Sequence, residues 1–141
     1  MTDNCIKELF SDIPPMGDSL VILRKIGMEN VDDVYEYASN ENTTRYLAWQ
    51  THQSKKFTRN YVKFLQKQYK AGEFFDWGIN LRENGKMVGT CGFTSINSEH
   101  SRAEIGYVVN PEYWGQGIAT ASAKLVTSFR PFPLLLPLPL R

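Results

Sequence analysis

Between residues 20 and 129 the apolar positions follow two alternating periods, and each change of period marks an element boundary. Residues 20–26 are apolar enough for a strand. After Gly27, Val31, Val34, Tyr35 and Ala38 recur at helical spacing, which predicts a helix to about Ser39 with Asn30 as its cap. Ser54 is placed to cap a second helix over 55–69, with Phe57, Tyr61, Phe64, Leu65 and Gln68 on one face and Ala71-Gly72 at its end. Residues 74–81 and 87–95 read as a hairpin closed by Asn84-Gly85, and 104–109 as the next antiparallel strand. From 116 to about 129, Ile118, Ala121, Leu125 and Val126 share one helical face.

The two ends break this pattern. Residues 1–19 form a polar extension interrupted by Pro14-Pro15, in which Ile6, Leu9 and Phe10 suit one short helical turn docked on the body. Residues 130–141 are a low-complexity Pro/Leu tail, expected to be disordered. Its prolines, Pro131, Pro133, Pro137 and Pro139, all occupy odd positions, so an extended tail would lack N–H donors on one side only and could pair at most as an edge strand.

Composition narrows the function. At 141 residues the chain suits one domain with one modest core. Sixteen basic and fifteen acidic residues leave a net charge of +1, so neither nucleic acid nor a membrane surface is expected as partner, and the Lys-rich side of the second helix reads as a solvated face. Cys5 and Cys91 have no CxxC or Cys/His spacing, which argues against a disulfide framework and against a metal site. No basic start with an apolar run and no apolar stretch of membrane-spanning length is present, and a cytoplasmic setting is expected.

The chemistry concentrates where the third antiparallel strand ends. Asn110-Pro111 is a turn signal, and Gly115-Gln116-Gly117 opens the last helix. Unpaired N–H groups and the positive end of the helix dipole make such a start an anion site, and glycines permit close approach to the main chain. A Rossmann dinucleotide reading fails on context, because Thr120 stands where the third glycine belongs and no acidic residue follows about 20 positions on. Tyr46, Leu47 and Trp49 suit either a substrate pocket or the edge of the core.

The run EIGYVVNPEYWGQGIAT over 104–120 resembles the acetyl-CoA-binding motif of the GNAT superfamily of N-acetyltransferases, in its ribosomal-protein alanine N-acetyltransferase-like branch. Residues 20–26, 44–49, Trp77-Gly-Ile and 86–93 are similar to that family's first strand, substrate-side segment and central hairpin. The family's loop pattern is Gln/Arg-x-x-Gly-x-Gly/Ala. Gly117 and Ala119 take its small positions, and Trp114 stands where Gln or Arg is usual.

The resemblance implies an α/β (α+β) fold with a mixed sheet, its antiparallel N-terminal strands flanked by helices. It implies acetyl-CoA as co-substrate and an amine acceptor, a protein N-terminus in this branch. Val108, Val109, Trp114, Gly115, Gln116, Gly117, Ile118, Ala119 and Thr120 would bind the coenzyme, with an oxyanion donor at the N–H of Val108 or Val109. Glu104 would be the base, with Glu112 and Tyr113 as alternatives, and Tyr46 and Trp49 would face the acceptor. His52 and His100 are expected on the surface. The family continues with further strands and a helix that have no counterpart here. The domain over 20–129 is therefore expected to be incomplete, its sheet stopping after the fourth strand, and a catalytically defective acyl-CoA-binding fragment is the alternative reading.

Overall fold

The computed structural model describes residues 7, 8, 10–45, 47, 49–97, 102–129 and 136–140, with 97, 102 and 136–140 described by their backbone alone. In chain order the elements are β1 (Met16–Gly17), β2 (Val21–Arg24), α1 (Val31–Ala38), α2 (Glu41–Thr44), α3 (Lys55–Ala71), β3 (Asp76–Leu81), β4 (Met87–Asn97), β5 (Arg102–Val109), α4 (Ile118–Ser128) and β6 (Leu136–Leu140). The strands form one sheet in the order β1-β2-β3-β4-β5-β6. Every neighbouring pair is antiparallel except β5 and β6, which run parallel. This is the expected mixed sheet with helices packed against it.

The sheet differs from expectation at both ends. β1 is two residues long, too short to carry any periodic signal, and it pairs with β2 through a turn in which Asp18 Oδ1 accepts from the Leu20 and Val21 N–H groups, each at 2.8 Å. At the other edge, Leu136–Leu140 lies beside β5 where a disordered tail was expected. An edge strand pairs along one side only, and prolines at alternate positions remove donors from one side only, so Pro137 and Pro139 are compatible with it. Registered pairs run from Arg102↔Leu136 to Ile105↔Leu140, and β6 stops there. Among the described residues, the outer edge of β5 from Gly106 onward has no neighbouring strand.

α3 is capped as predicted, Ser54 Oγ accepting from the Phe57 N–H at 3.1 Å and Gly72 closing the helix at φ +67°. Of the predicted face only Leu65 is buried among the described residues. Thr58, Val62, Leu65 and Tyr69 are buried, whereas Phe57 and Phe64 are 53% and 54% exposed. The two stripes have the same period and sit one residue apart, so spacing alone cannot choose between them. Tyr69 decides the choice: its hydroxyl accepts from the Ile26 N–H and donates to the Asp76 carbonyl, both at 3.0 Å, and so ties α3 to β2 and β3. Asn30 holds the N-cap position of α1 as expected but makes no side-chain bond to the helix; its Oδ1 accepts from the Gly27 N–H at 2.8 Å, closing the 3-10 turn Met28–Asn30.

One face of the sheet carries an aromatic core. Trp77 is fully buried and meets Phe10, Phe93 and Phe129 edge-on at 5.1–6.4 Å between ring centroids, while its indole N–H donates to the Pro14 carbonyl at 2.9 Å. Phe10 therefore docks the N-terminal turn as expected; Ile6 and Leu9 lie outside the described residues. Trp77→Ala is expected to cost about 3–5 kcal/mol of stability, read as a lower midpoint in urea unfolding with an unchanged slope.

Candidate functional site

The site begins where β5 runs out. Asn110 is 1% exposed and makes three bonds that fix the exit of the strand. Its N–H donates to the Val88 carbonyl (2.7 Å), its Nδ2 donates to Glu36 Oε2 on α1 (2.7 Å), and its Oδ1 accepts from the Glu112 N–H (3.1 Å). Lys86 Nζ lies 2.9 Å from the same Glu36 oxygen, so helix, hairpin and turn meet at one carboxylate. The chain then passes through the 3-10 turn Pro111–Tyr113 into the glycine loop.

Both loop glycines have φ +79°, and a Cβ on either would meet nothing within 4 Å. Backbone conformation, not space, therefore requires glycine here. The first bond within α4 runs from the Ala121 N–H to the Gly117 carbonyl at 3.0 Å, and Gly117 has no side chain to cap the helix. The N–H groups of Ile118, Ala119 and Thr120 thus have no helical acceptor. These three residues line a cavity of about 440 Å³ together with Val108, Val109, Trp114, Gly115, Gly117, Tyr107, Tyr113, Thr43 and Leu47. Eight of the nine residues expected on the coenzyme side line this one space; Gln116 does not. Spacing gave no hint of Thr43, whose buried hydroxyl has no hydrogen-bond partner among the described residues.

The ladder distinguishes Val108 from Val109. Since Asn110 exchanges with Val88, the two-residue alternation of an antiparallel pair turns the backbone of Val108 toward Thr90 on β4. Tyr107 and Val109 turn theirs to the open edge. The Val109 carbonyl is already taken by the Trp114 indole N–H at 2.7 Å, so Val109 presents its N–H alone.

A second cavity, of about 90 Å³, lies between the sheet and helices α1 and α3, and Val108 lines both spaces. Its other walls include Tyr37, Trp49, His52, Tyr61, Asp76 and Thr90. His52 is 5% exposed, not a surface residue as expected. It is enclosed by the rings of Trp49, Phe57 and Tyr61, its Nδ1 lies 2.8 Å from Thr58 Oγ1, and burial lowers its pKa. His100 and Tyr46 lie outside the described residues.

Sequence reasoning passed over Asp76, the one acidic residue of β3, and its setting within an apolar strand was the available signal. It stands in register with Gly92, and a Cβ at Gly92 would collide with its Oδ1, so the glycine makes room for the carboxyl. Among the described residues that carboxyl has no ion pair and no hydrogen bond. The residue as a whole is half-buried, and desolvation raises the pKa of its carboxyl to about 7. Glu104, the expected base, is half-buried on the same face of β5 as Val108 and lines neither cavity. No group of three or more metal-ligating side chains occurs among the described residues.

The family model for the acetyltransferase (GNAT) domain matches residues 21–130. The chain is 29% identical over 116 residues to the N-acetyltransferase YoaA of Bacillus subtilis, covering 82% of this chain and 66% of YoaA. It is 27% identical over 117 residues to spermidine N(1)-acetyltransferase of Escherichia coli K12, covering 77% and 56%. Among solved structures, a GNAT-family acetyltransferase from Bacillus anthracis superposes with a TM-score of 0.67 at 24% identity, over 79% of this chain and 63% of the other. RimL, a ribosomal L7/L12 α-N-protein acetyltransferase in complex with coenzyme A, gives 0.65 at 20% identity, over 82% and 66%. The chain spans less than two thirds of the length of each of these relatives.

Two substitutions test this geometry. Asn110→Ala removes a charge-assisted bond and is expected to cost about 1.5–3 kcal/mol, measured by urea unfolding. For Asp76, the unfolded carboxyl releases its proton near 3.8 and the folded one near 7, so stability falls as pH rises between those values and levels off above them. Asp76→Asn is therefore expected to raise stability by roughly 1–3 kcal/mol at pH 8 and to change it little at pH 4, read from thermal melts at the two pH values.

Proposed function

This chain belongs to the acetyltransferase (GNAT) family, and from that premise we propose that it is an N-acetyltransferase moving acetyl from acetyl-CoA to a primary amine, with a protein N-terminus as the acceptor. The observation that carries the reading is the cavity itself. One continuous space joins three unpartnered helix N–H groups to the open edge of β5, which suits a ligand with a pyrophosphate at one end and an extended amide-bearing arm at the other.

Acetyl-CoA, when bound, supplies an acyl carbon activated as a thioester. The chain's part is to hold and polarise it. The N–H groups of Ile118, Ala119 and Thr120 take the pyrophosphate, aided by the dipole of α4. The free edge at Tyr107 and Val109 takes the arm by main-chain hydrogen bonds. The Val109 N–H, whose own carbonyl is occupied by Trp114, is the donor for charge that develops on the acyl oxygen. Glu104 is the base candidate from the sequence, although it lines neither cavity, and Trp49, the acceptor-side candidate, lines the smaller one with Val108. The named activities of the relatives, on spermidine and on a protein α-amine, both concern amines, and this supports the acceptor class.

Gly117→Glu forces a side chain into a left-handed position and sets a negative charge among the helix N–H groups. Calorimetry with acetyl-CoA is expected to show binding to the native chain and none to this variant; equal affinity would remove the loop from the site. Turnover of acetyl-CoA with a peptide bearing a free N-terminus is the accompanying assay. Binding without turnover would favour an acyl-CoA-binding fragment instead.

A further inference from the structure

Resting on the acetyltransferase reading, we propose that the inner cavity is the acceptor site, in which the Asp76 carboxylate receives the ammonium group of a primary amine and takes the proton that blocks its attack. The first ground is position. Val108 lines both cavities, so the inner one, which Asp76 lines, adjoins the space assigned to the acyl carbon. The second is electrostatic. A carboxylate without a cation is costly inside a protein, and here the aromatic walls Tyr37, Trp49 and Tyr61 bring no positive charge. A cation fits both features, forming an ion pair with the carboxylate and cation–π contacts with the rings.

The groups around Asp76 keep its charge unopposed. Tyr37 projects from α1, and its hydroxyl is pushed up by burial, with smaller contributions from Tyr61, Asp76, Tyr69 and Asp33. From α3, Tyr61 is pushed up by burial to about 12, and Tyr69 is raised for the same reason. Cys91 on β4, in register with Trp77 and therefore on the other face of the sheet, is also raised to about 12 by burial. His52, its pKa lowered, brings no positive charge near neutral pH. The groups facing the carboxyl are thus neutral near pH 7, and the amine supplies the missing counter-charge.

The same low-dielectric setting drives the chemistry forward. Within a poorly solvated ion pair, transfer of a proton from ammonium to carboxylate yields two neutral groups, removing the cost of burying charge. The freed amine nitrogen uses its lone pair to form the C–N bond to the thioester carbon. The C–S bond breaks, its electron pair leaves with the coenzyme sulfur as thiolate, and the second nitrogen proton departs to solvent. Asp76 then returns its own proton to solvent. The cavity, about 90 Å³, holds an ammonium and the first carbons of its chain, so the acceptor's remainder stays outside.

The test separates this proposal from the coenzyme assignment. With the full chain and no coenzyme, n-butylamine is titrated by NMR at pH 8 and pH 5.5, with n-butanol as the neutral control. Binding of the amine at pH 8, at least tenfold weaker at pH 5.5 and in Asp76→Asn, and absent for the alcohol, supports the site; affinity within twofold in the variant overturns it. In turnover, kcat/KM for the native chain is expected to rise with pH through a value near 7. Asp76→Asn is expected to lose at least a hundredfold, while its acetyl-CoA affinity is unchanged. A retained pH profile in Asp76→Asn, or its loss in Glu104→Gln alone, overturns the base assignment. Asp76→Ser, smaller than the residue it replaces, is the second variant should the amide disturb folding. If amine binding depends on Asp76 and acetyl-CoA does not bind at all, the acceptor site stands and the acetyltransferase reading falls. Comparing butylamine with a peptide of free N-terminus tells a small amine from a protein terminus as the source of the ammonium.

Discussion

The geometry of both cavities depends on one buried amide. Asn110 ends β5 by donating through its main chain to Val88, binds Glu36 on α1 through its side chain, and starts the next turn by accepting from Glu112. The first bond fixes which β5 residues turn their backbone outward, and the third fixes the direction in which the chain enters the glycine loop. Valine or leucine there would pack but could not make the side-chain bonds. A polar residue at 1% exposure is justified by that triple use. Its partner Glu36 also receives Lys86, which lies over the Tyr113 ring, so the mouth of the larger cavity is braced by a charge shared among three elements.

The two cavities have opposite electrostatic characters on either side of Val108. On the helix side, unpaired N–H groups and a helix dipole favour negative charge; on the inner side, an unpaired carboxyl among aromatic rings favours positive charge. Net charge near zero for the whole chain conceals this division. Substrates that differ in sign are therefore sorted before they meet, each by a local field.

Much of this was legible in the sequence. The strand, turn, double-glycine and helix run announced the larger cavity because glycine at positive φ and an uncapped helix start are local features, written in consecutive residues. Ser54 and Gly72 marked the ends of α3 for the same reason. What the sequence hid was long-range. Two equivalent stripes on α3 could be told apart only through Tyr69 and its bonds to Ile26 and Asp76. Asp76 was concealed because its meaning lies in residues far away in the chain, and His52 because an isolated histidine carries no periodic signal. The Pro/Leu tail, read by composition as disordered, has its strand through pairing with β5, a tertiary cause.

The Trp114 indole that closes the Val109 carbonyl has a consequence for selectivity against other chains. An open sheet edge with alternating donors and acceptors is a template on which any extended peptide can assemble. Occupying one acceptor breaks that alternation within the stretch of β5 beyond its last pair with β6, Ile105↔Leu140. The exposed stretch of β5 is left mismatched to a passing polypeptide strand, while a ligand that offers a single carbonyl oxygen to the Val109 N–H is still accommodated. An aromatic side chain that is 57% exposed thus serves as a guard against unwanted strand addition.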